Sequence, residues 1–335
     1  MSLKVAVIGT ALAVAASVSA AFAGHLEDGE SAFFQGRYDT ALSLLRPLAQ
    51  NGNAAAQFYV GKMYTEGKGL ARDDGTGANW IRQAAKQGFP KAEAYLGAMY
   101  SQGEGVDHDK AEAVKWYQKA AEHGDENAQW SLCVTYFVGI EIPKDYVQAK
   151  KWCEKAADNG DQDAQFNLGS MYYYGDGVPK NFNEAVTWFR KAADHDQYTD
   201  FAEFYLGLAY ANGQGVLQDY VTAYDWFTKA VAGGNQYAEE HRVEIAKKMS
   251  LSQFVEAQDK AAKRGDGKAQ LYLGEAYAKG VGVPKDFVLA YMWLNLASSG
   301  GIEIAASERD NIASEMNSEQ IADAQRLTRE WKPSK

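Results

Sequence analysis

The chain lacks every short motif that would assign it a reaction. No H-E-x-x-H and no G-x-S-x-G occurs, and no serine begins an S-x-x-K run, which removes the common zinc and serine hydrolase signatures. The five histidines (His25, His108, His123, His195 and His241) show no metal-ligand spacing. A basic run is also missing. With 34 basic and 44 acidic side chains the formal charge is −10, which argues against nucleic acid or an anionic membrane as the main partner. Cysteine is reduced to two residues. What the chain does hold is apolar: hydrophobic residues at 46% and aromatics at 13% are enough for a continuous core, so disorder is not expected.

The first residues have a separate job. Lys4 precedes an apolar run from Val5 to Val18, and Ala21-Phe22-Ala23 then precedes Gly24. This is the pattern of a secretory signal with cleavage after Ala23, too short and alanine-rich for a membrane span. No cysteine follows the cleavage point, so no lipid anchor is indicated there. The expectation is a periplasmic protein with no stable membrane insertion once residues 1–23 are removed.

The remaining sequence repeats itself. A segment Ala-(Gln/Glu)-x-x-(Leu/Val)-(Gly/Cys)-x-x-Tyr-x-x-Gly starts at Ala56, Ala92, Ala128, Ala164, Ala202 and Ala269, and Trp80, Trp116, Trp152, Trp188, Trp226 and Trp293 follow 24 positions later. Successive starts differ by 36, 36, 36, 38 and 67 residues. Self-similarity at such a period marks a solenoid, whose units bury apolar surface only against their neighbours. In the unit from Ala164, the residues Ala164, Leu168, Met171 and Tyr172 fall on one helical stripe. Gly175-Asp-Gly177-Val-Pro179 breaks that helix, and a second follows with Ala185, Trp188, Phe189, Ala192 and Ala193 as its expected buried face. Its N-cap column holds Asp73, Asp109, Asp145, Asn181, Asp219 and Asp286, residues whose side-chain oxygens accept from orphan first-turn amides. Gly88, Gly124, Gly160, Gly234 and Gly301 suit a left-handed residue after the second helix. Asp196 replaces that glycine in the fourth unit, and the two extra residues of the 38-residue step fall between Gln197 and Phe201, where a change of superhelical twist is expected. The G-x-G loops read as structural turns rather than phosphate cradles.

The full pattern A-Q-x-x-L-G-x-x-Y-x-x-G-x-G-V-P-K-(D/N)-(Y/F)-x-x-A-x-x-W-(Y/F)-x-K-A-A resembles the Sel-one-like repeat family, relatives of tetratricopeptide repeats. The resemblance implies an all-α fold, a right-handed αα-superhelix that acts without cofactor by binding another protein, often in bacterial envelope systems. It places a partial repeat at 24–52, five repeats at 53–234 and a sixth at 266–301. Residues 235–265 form a divergent helical pair and residues 302–335 a cap. The last two are related: Ala238, Arg242, Ile245, Ala246, Met249, Gln253, Ala257 and Gln258 recur 67 positions later as Ala305, Arg309, Ile312, Ala313, Met316, Gln320, Ala324 and Gln325.

Both cysteines lie in the third unit. Cys133 occupies a column otherwise filled by Gly61, Gly97, Gly169, Gly207 and Gly274, and Cys153 a column of Ile81, Tyr117, Phe189, Phe227 and Leu294. A glycine facing a large side chain is thus replaced by two thiols on helices that pack together. In an oxidising compartment this reads as a disulfide, with two buried free thiols as the alternative.

Variable positions on the first helices are where a partner would sit. Tyr59, Tyr95, Tyr205 and Tyr272 share one column, with packing between units as their ordinary explanation. Phe137, Tyr173 and Tyr174 depart from their columns, and with Tyr205 they form the candidate binding set. The third unit also replaces G-x-G-V by Gly139-Ile140-Glu141-Ile142. The leading expectation is a non-enzymatic periplasmic adaptor or regulator that binds another envelope protein. A binder or hydrolase of cell-wall saccharide or β-lactam is the second, since some members of the family are linked to that chemistry. A structural subunit of a secretion or polysaccharide-export complex is the third.

Overall fold

The structure, a computed structural model, describes residues 24–139, 142–194 and 199–334. The expected signal, residues 195–198 with Asp196 and the start of the linker, and Ile140 and Glu141 of the altered loop lie outside them. The described residues are helical with no strand. Residues 24–34 form α1, followed by α2 (Tyr38–Gln50), α3 (Ala54–Glu66), α4 (Asp74–Lys86), α5 (Pro90–Gln102), α6 (Lys110–Glu122), α7 (Glu126–Val138) and α8 (Tyr146–Asp158). Then come α9 (Gln162–Tyr174), α10 (Phe182–Ala193), α11 (Asp200–Asn212), α12 (Tyr220–Ala232), α13 (Ala238–Lys248) and α14 (Leu251–Lys263). The chain ends with α15 (Gly267–Lys279), α16 (Phe287–Ser299), α17 (Glu303–Ala313) and α18 (Ser318–Glu330). Two compact units divide after Asn167.

Each unit is a helical solenoid in which sequence neighbours are packing neighbours. In the first, α3 packs on α4, α5 on α6 and α7 on α8, with α2, α4 and α6 each also meeting the helix that follows. In the second, α11 packs on α12 and α15 on α16. The divergent helices use a different arrangement, and use it twice: α13 and α14 both pack on α12, and α17 and α18 both on α16. Both second members start with a capping box, Ser250 with Gln253 and Asn317 with Gln320. Ala238 and Ala305 are both fully buried, as are Ala257 and Ala324.

The local signals act as their chemistry requires. All six Asp or Asn residues of the N-cap column accept a first-turn backbone amide, each stabilising its helix by about 1 kcal/mol. At Asp73 those bonds from Thr76 hold the carboxyl below its ordinary value. The five glycines after the second helices have φ between 79° and 96°, a region costly for any side chain. The second glycine of the G-x-G loop answers a different need. A Cβ on Gly105 would stand 2.2 Å from the Asp74 carbonyl oxygen, and one on Gly215 2.3 Å from that of Phe182. The loop therefore rests on the preceding pair's second helix.

The tryptophan column divides. Trp152 and Trp293 are buried, but Trp80, Trp116, Trp188 and Trp226 are only half-buried, so Trp188 is not the core residue its register suggests. Lys119, Lys191 and Lys229 lie 3.8 to 4.2 Å from the ring centroids of the half-buried Trp116, Trp188 and Trp226, a cation–π arrangement that tolerates water on one side.

A buried polar column ties each pair to the one before. Gln57, Gln129, Gln165 and Gln270 are buried, and each donates its amide to a carbonyl eight residues earlier, at Ala49, Ala121, Ala157 and Ala262. Those carbonyls belong to last turns, where helices leave acceptors unfilled. Gln87 and Asn159 donate in turn to the Gln57 and Gln129 oxygens. Where the column holds Glu93, His123 Nδ1 is its partner at 2.7 Å.

Candidate functional site

First helices of successive pairs line one face of the first unit. A cavity of about 470 Å³ runs along it, bounded by Phe34 of α1, Phe58, Tyr59 and Lys62 of α3, Lys91 and Tyr95 of α5, and Asn127 and Ser131 of α7. Its floor is small, with Ala94, Ala98 and Ala128. Small residues lead to this shape because an alanine stripe sinks between taller neighbours. Phe34 is 71% exposed at one end, and its ring stands 5.9 Å from that of Tyr59.

The rim has both charge and fixed aromatics. Lys62 Nζ lies 5.9 Å from the centroids of Phe33 and Tyr95 and 3.5 Å from Glu66. Burial holds the Glu30 carboxyl above its ordinary value, and Lys91 nearby opposes that. Tyr95 Oη shares a hydrogen bond of 3.1 Å with Thr65 Oγ1, and burial raises its phenol and that of Tyr59 above the usual range. Such a surface suits an apolar, partly acidic polypeptide segment: aromatic rings give contact area at low entropic cost, and the ammonium groups select anions.

In the second unit, three of the four sequence candidates come together. Tyr173 and Tyr174 of α9 meet Tyr205 of α11, with ring centroids 5.2 and 6.2 Å apart. The Tyr174 and Tyr205 hydroxyls are 2.5 Å apart. Tyr205 stacks on Phe189 at 5.0 Å and 19°, and Tyr173 Oη donates to Gln214 Oε1. Burial, reinforced by Tyr174, pushes the Tyr205 phenol well above its ordinary range. Two of the three are therefore packed between helices. Tyr174, 53% exposed, is the member facing water, and Phe201 in the first turn of α11 is 50% exposed. Phe137 belongs to the first unit, half-buried in the last turn of α7 with its ring 5.9 Å from Tyr146.

Several surface residues fall outside the sequence candidates. Tyr59 proves to be buried, against Phe33, Phe34 and Phe58. Lys62 and the exposed Trp130 escaped because each differs from the rest of its column, and Lys91 because only Lys268 shares its charge there. The usable signal was positional: Ala98 and Lys62 share one column and Phe58 and Ala94 another, and all four line the groove. Among the described residues no group of three or more His, Cys, Asp or Glu side chains could hold a metal ion, and no helix is long and apolar enough to cross a membrane.

Comparison with known proteins agrees with this architecture. A Sel1 repeat protein from Oxalobacter formigenes is 30% identical in sequence, with 88% of this chain and 90% of that one covered and a TM-score of 0.55. The structure of c5321, a protective antigen of uropathogenic Escherichia coli with an SLR fold, is 25% identical over 92% of this chain and 91% of its own, also with a TM-score of 0.55. No curated protein matches the chain. The Sel1 repeat profile matches six times, at residues 54–89, 90–125, 127–161, 162–197, 200–235 and 267–302. Sel1 repeats are a scaffold kind of fold that mediates protein–protein interaction. With most of its length in those six copies, this chain belongs to the Sel1 repeat family.

Proposed function

We propose that the chain is an exported, non-enzymatic adaptor or regulator that binds another envelope protein along its first-helix faces. The observation that carries this reading is the first-unit groove, where four successive first helices set aromatic rings and two lysines around an alanine floor. In the second unit the exposed Tyr174 offers a surface of the same kind, and Phe137, Tyr173, Tyr174 and Tyr205 remain the candidate binding set. Export is supported by the leader ending Ala21-Phe22-Ala23 and by the Cys133–Cys153 disulfide, a bond that persists in oxidising compartments.

Photocrosslinking inside cells tests the proposal. A benzophenone side chain at Ala98 or Tyr174 is expected to capture a discrete periplasmic protein, whereas one at Glu122, exposed on α6, is not. Equal capture from all three positions, or none from the first two, removes the groove as the binding surface. Charge reversal at Lys62 and Lys91 is expected to weaken capture about tenfold with an unchanged melting temperature. Purified protein is expected to leave nitrocefin intact; turnover would return the hydrolase reading.

A further inference from the structure

A second cavity, of about 530 Å³, lies in the second unit, where α13 turns into α14. Tyr224 of α12 lines it together with Val243 and Ala246 of α13, Met249 of the turn, and Leu251 and Phe254 of α14. Val243 and Leu251 are 44% and 51% exposed, large aliphatic side chains left in water at the mouth. Arg242, Lys247 and Ser250 complete the lining, and no acidic residue lines it. The Arg242 guanidinium lies 5.8 Å from the Tyr224 ring and is paired with Glu239 at 2.7 Å. Lys247 is exposed, and no ion pair among the described residues engages it.

The duplicated block provides an internal control. Tyr224, Arg242, Ala246 and Met249 recur 67 positions later as Tyr291, Arg309, Ala313 and Met316. The helices, buried alanines and capping boxes around them recur as well. At the same register Val243, Lys247 and Leu251 are replaced by Asp310, Ser314 and Ser318, and Phe254 by Ile321. The frame therefore does not require an apolar mouth with a free ammonium; one copy has it and the other is polar.

We propose that this cavity binds an amphiphilic carboxylate, a small molecule with an aliphatic or aromatic body and one anionic head. The body seats against Tyr224, Met249 and Phe254 beneath Val243 and Leu251. The head meets Lys247 and the outer edge of Arg242, near the positive end of the α14 dipole. The volume falls in the usual range of about 300–1,000 Å³ for ligand clefts with apolar walls and a few polar groups. Charge decides the head group, because both polar side chains of long reach at the mouth are cations.

Calorimetric titration of the full mature protein with decanoate, and with decan-1-ol as the uncharged comparator, tests this. Saturable binding of one decanoate per chain is expected, about tenfold tighter than the alcohol. The variant V243D/K247S/L251S, with the residues that the second copy places on the same frame, is expected to bind decanoate about tenfold more weakly with unchanged helical circular dichroism. Lys247→Ser alone is expected to weaken decanoate and leave decan-1-ol unchanged, which keeps the test open if the triple variant fails to fold. No saturation below about 1 mM overturns the proposal, and is also the result if the cavity takes only a side chain of a protein partner. Equal affinity for acid and alcohol, or undiminished binding by the variants, overturns it too.

Discussion

The third repeat and its neighbours solve the same crossing in two ways. In five repeats a first-helix glycine faces a large residue of the second helix: Gly61 and Ile81, Gly97 and Tyr117, Gly169 and Phe189, Gly207 and Phe227, Gly274 and Leu294. An added Cβ would stand 2.5 to 2.9 Å from that side chain, so the backbone is as close as the ring allows. Between α7 and α8 the glycine and the ring are both gone, and Cys133 and Cys153 are joined with their Cα atoms 4.7 Å apart. What lies above the crossing differs as well. Asn167 donates to Cys133 Sγ, whereas Tyr205 stacks on Phe189. Packing and a covalent bond thus substitute for one another at equivalent positions, but they respond to different stresses: the bond to reductant, the packed ring to volume and to alkali.

Breaking the bond is expected to have the largest effect. The double variant C133S/C153S should lose about 3 kcal/mol, the chain-entropy value for a loop of this length, and a reductant should lower the wild-type melting temperature to match. Melts that agree with and without reductant would show that packing alone holds the crossing. Next comes Gly207→Ala. Its gain in helix propensity, about 1 kcal/mol, is smaller than the overpacking cost against Phe227, so a net loss of about 1–2 kcal/mol is expected in urea melts. The exchange C133G/C153F rebuilds the glycine-and-ring version and should recover part of what C133S/C153S loses; no recovery would mean the surroundings are specialised for sulfur. Asp145→Ala, which removes the cap of α8 but leaves the bond, should cost about 1 kcal/mol.

The smallest expected effect is alkaline. Burial raises the Tyr205 phenol above its unfolded value, so its contribution to stability is complete below about pH 10 and is lost as the pH rises through the raised value. Tyr205→Phe should melt at a temperature that falls less steeply above that pH. Parallel curves for the two proteins would remove Tyr205 as the cause.

How much of this was legible depended on whether a residue repeats. The caps from Asp73 to Asp286, the left-handed glycines and the Cys133–Cys153 pairing were readable because each column compares a position with itself. Tyr59 and Tyr205 share a column yet end in different surroundings. Phe33 and Phe34 of α1 bury the first, and no register in the repeats announces them. Lys62 met the groove through a column that holds Ala98, Val134 and Ser170 in the next repeats, and Lys91 through one that holds Ala55 and Asn127 on either side. The α13–α14 cavity was hidden for the opposite reason. The 67-residue recurrence was visible, but only the shared packing on α12 and α16 shows which of its mismatches face a common space.

The glutamines of the buried column all reach toward the N-terminus, from Gln57 to Ala49 and from Gln270 to Ala262. A chain leaves the ribosome in that same direction, so the carbonyl each glutamine needs has already been synthesised when it emerges. Every new helix pair meets a finished template for that amide behind it, and only the glutamine oxygens, as at Gln57 and Gln129, wait for Gln87 and Asn159 ahead. Assembly can then proceed one pair at a time from the N-terminus, without a long stretch of unpartnered apolar helix accumulating.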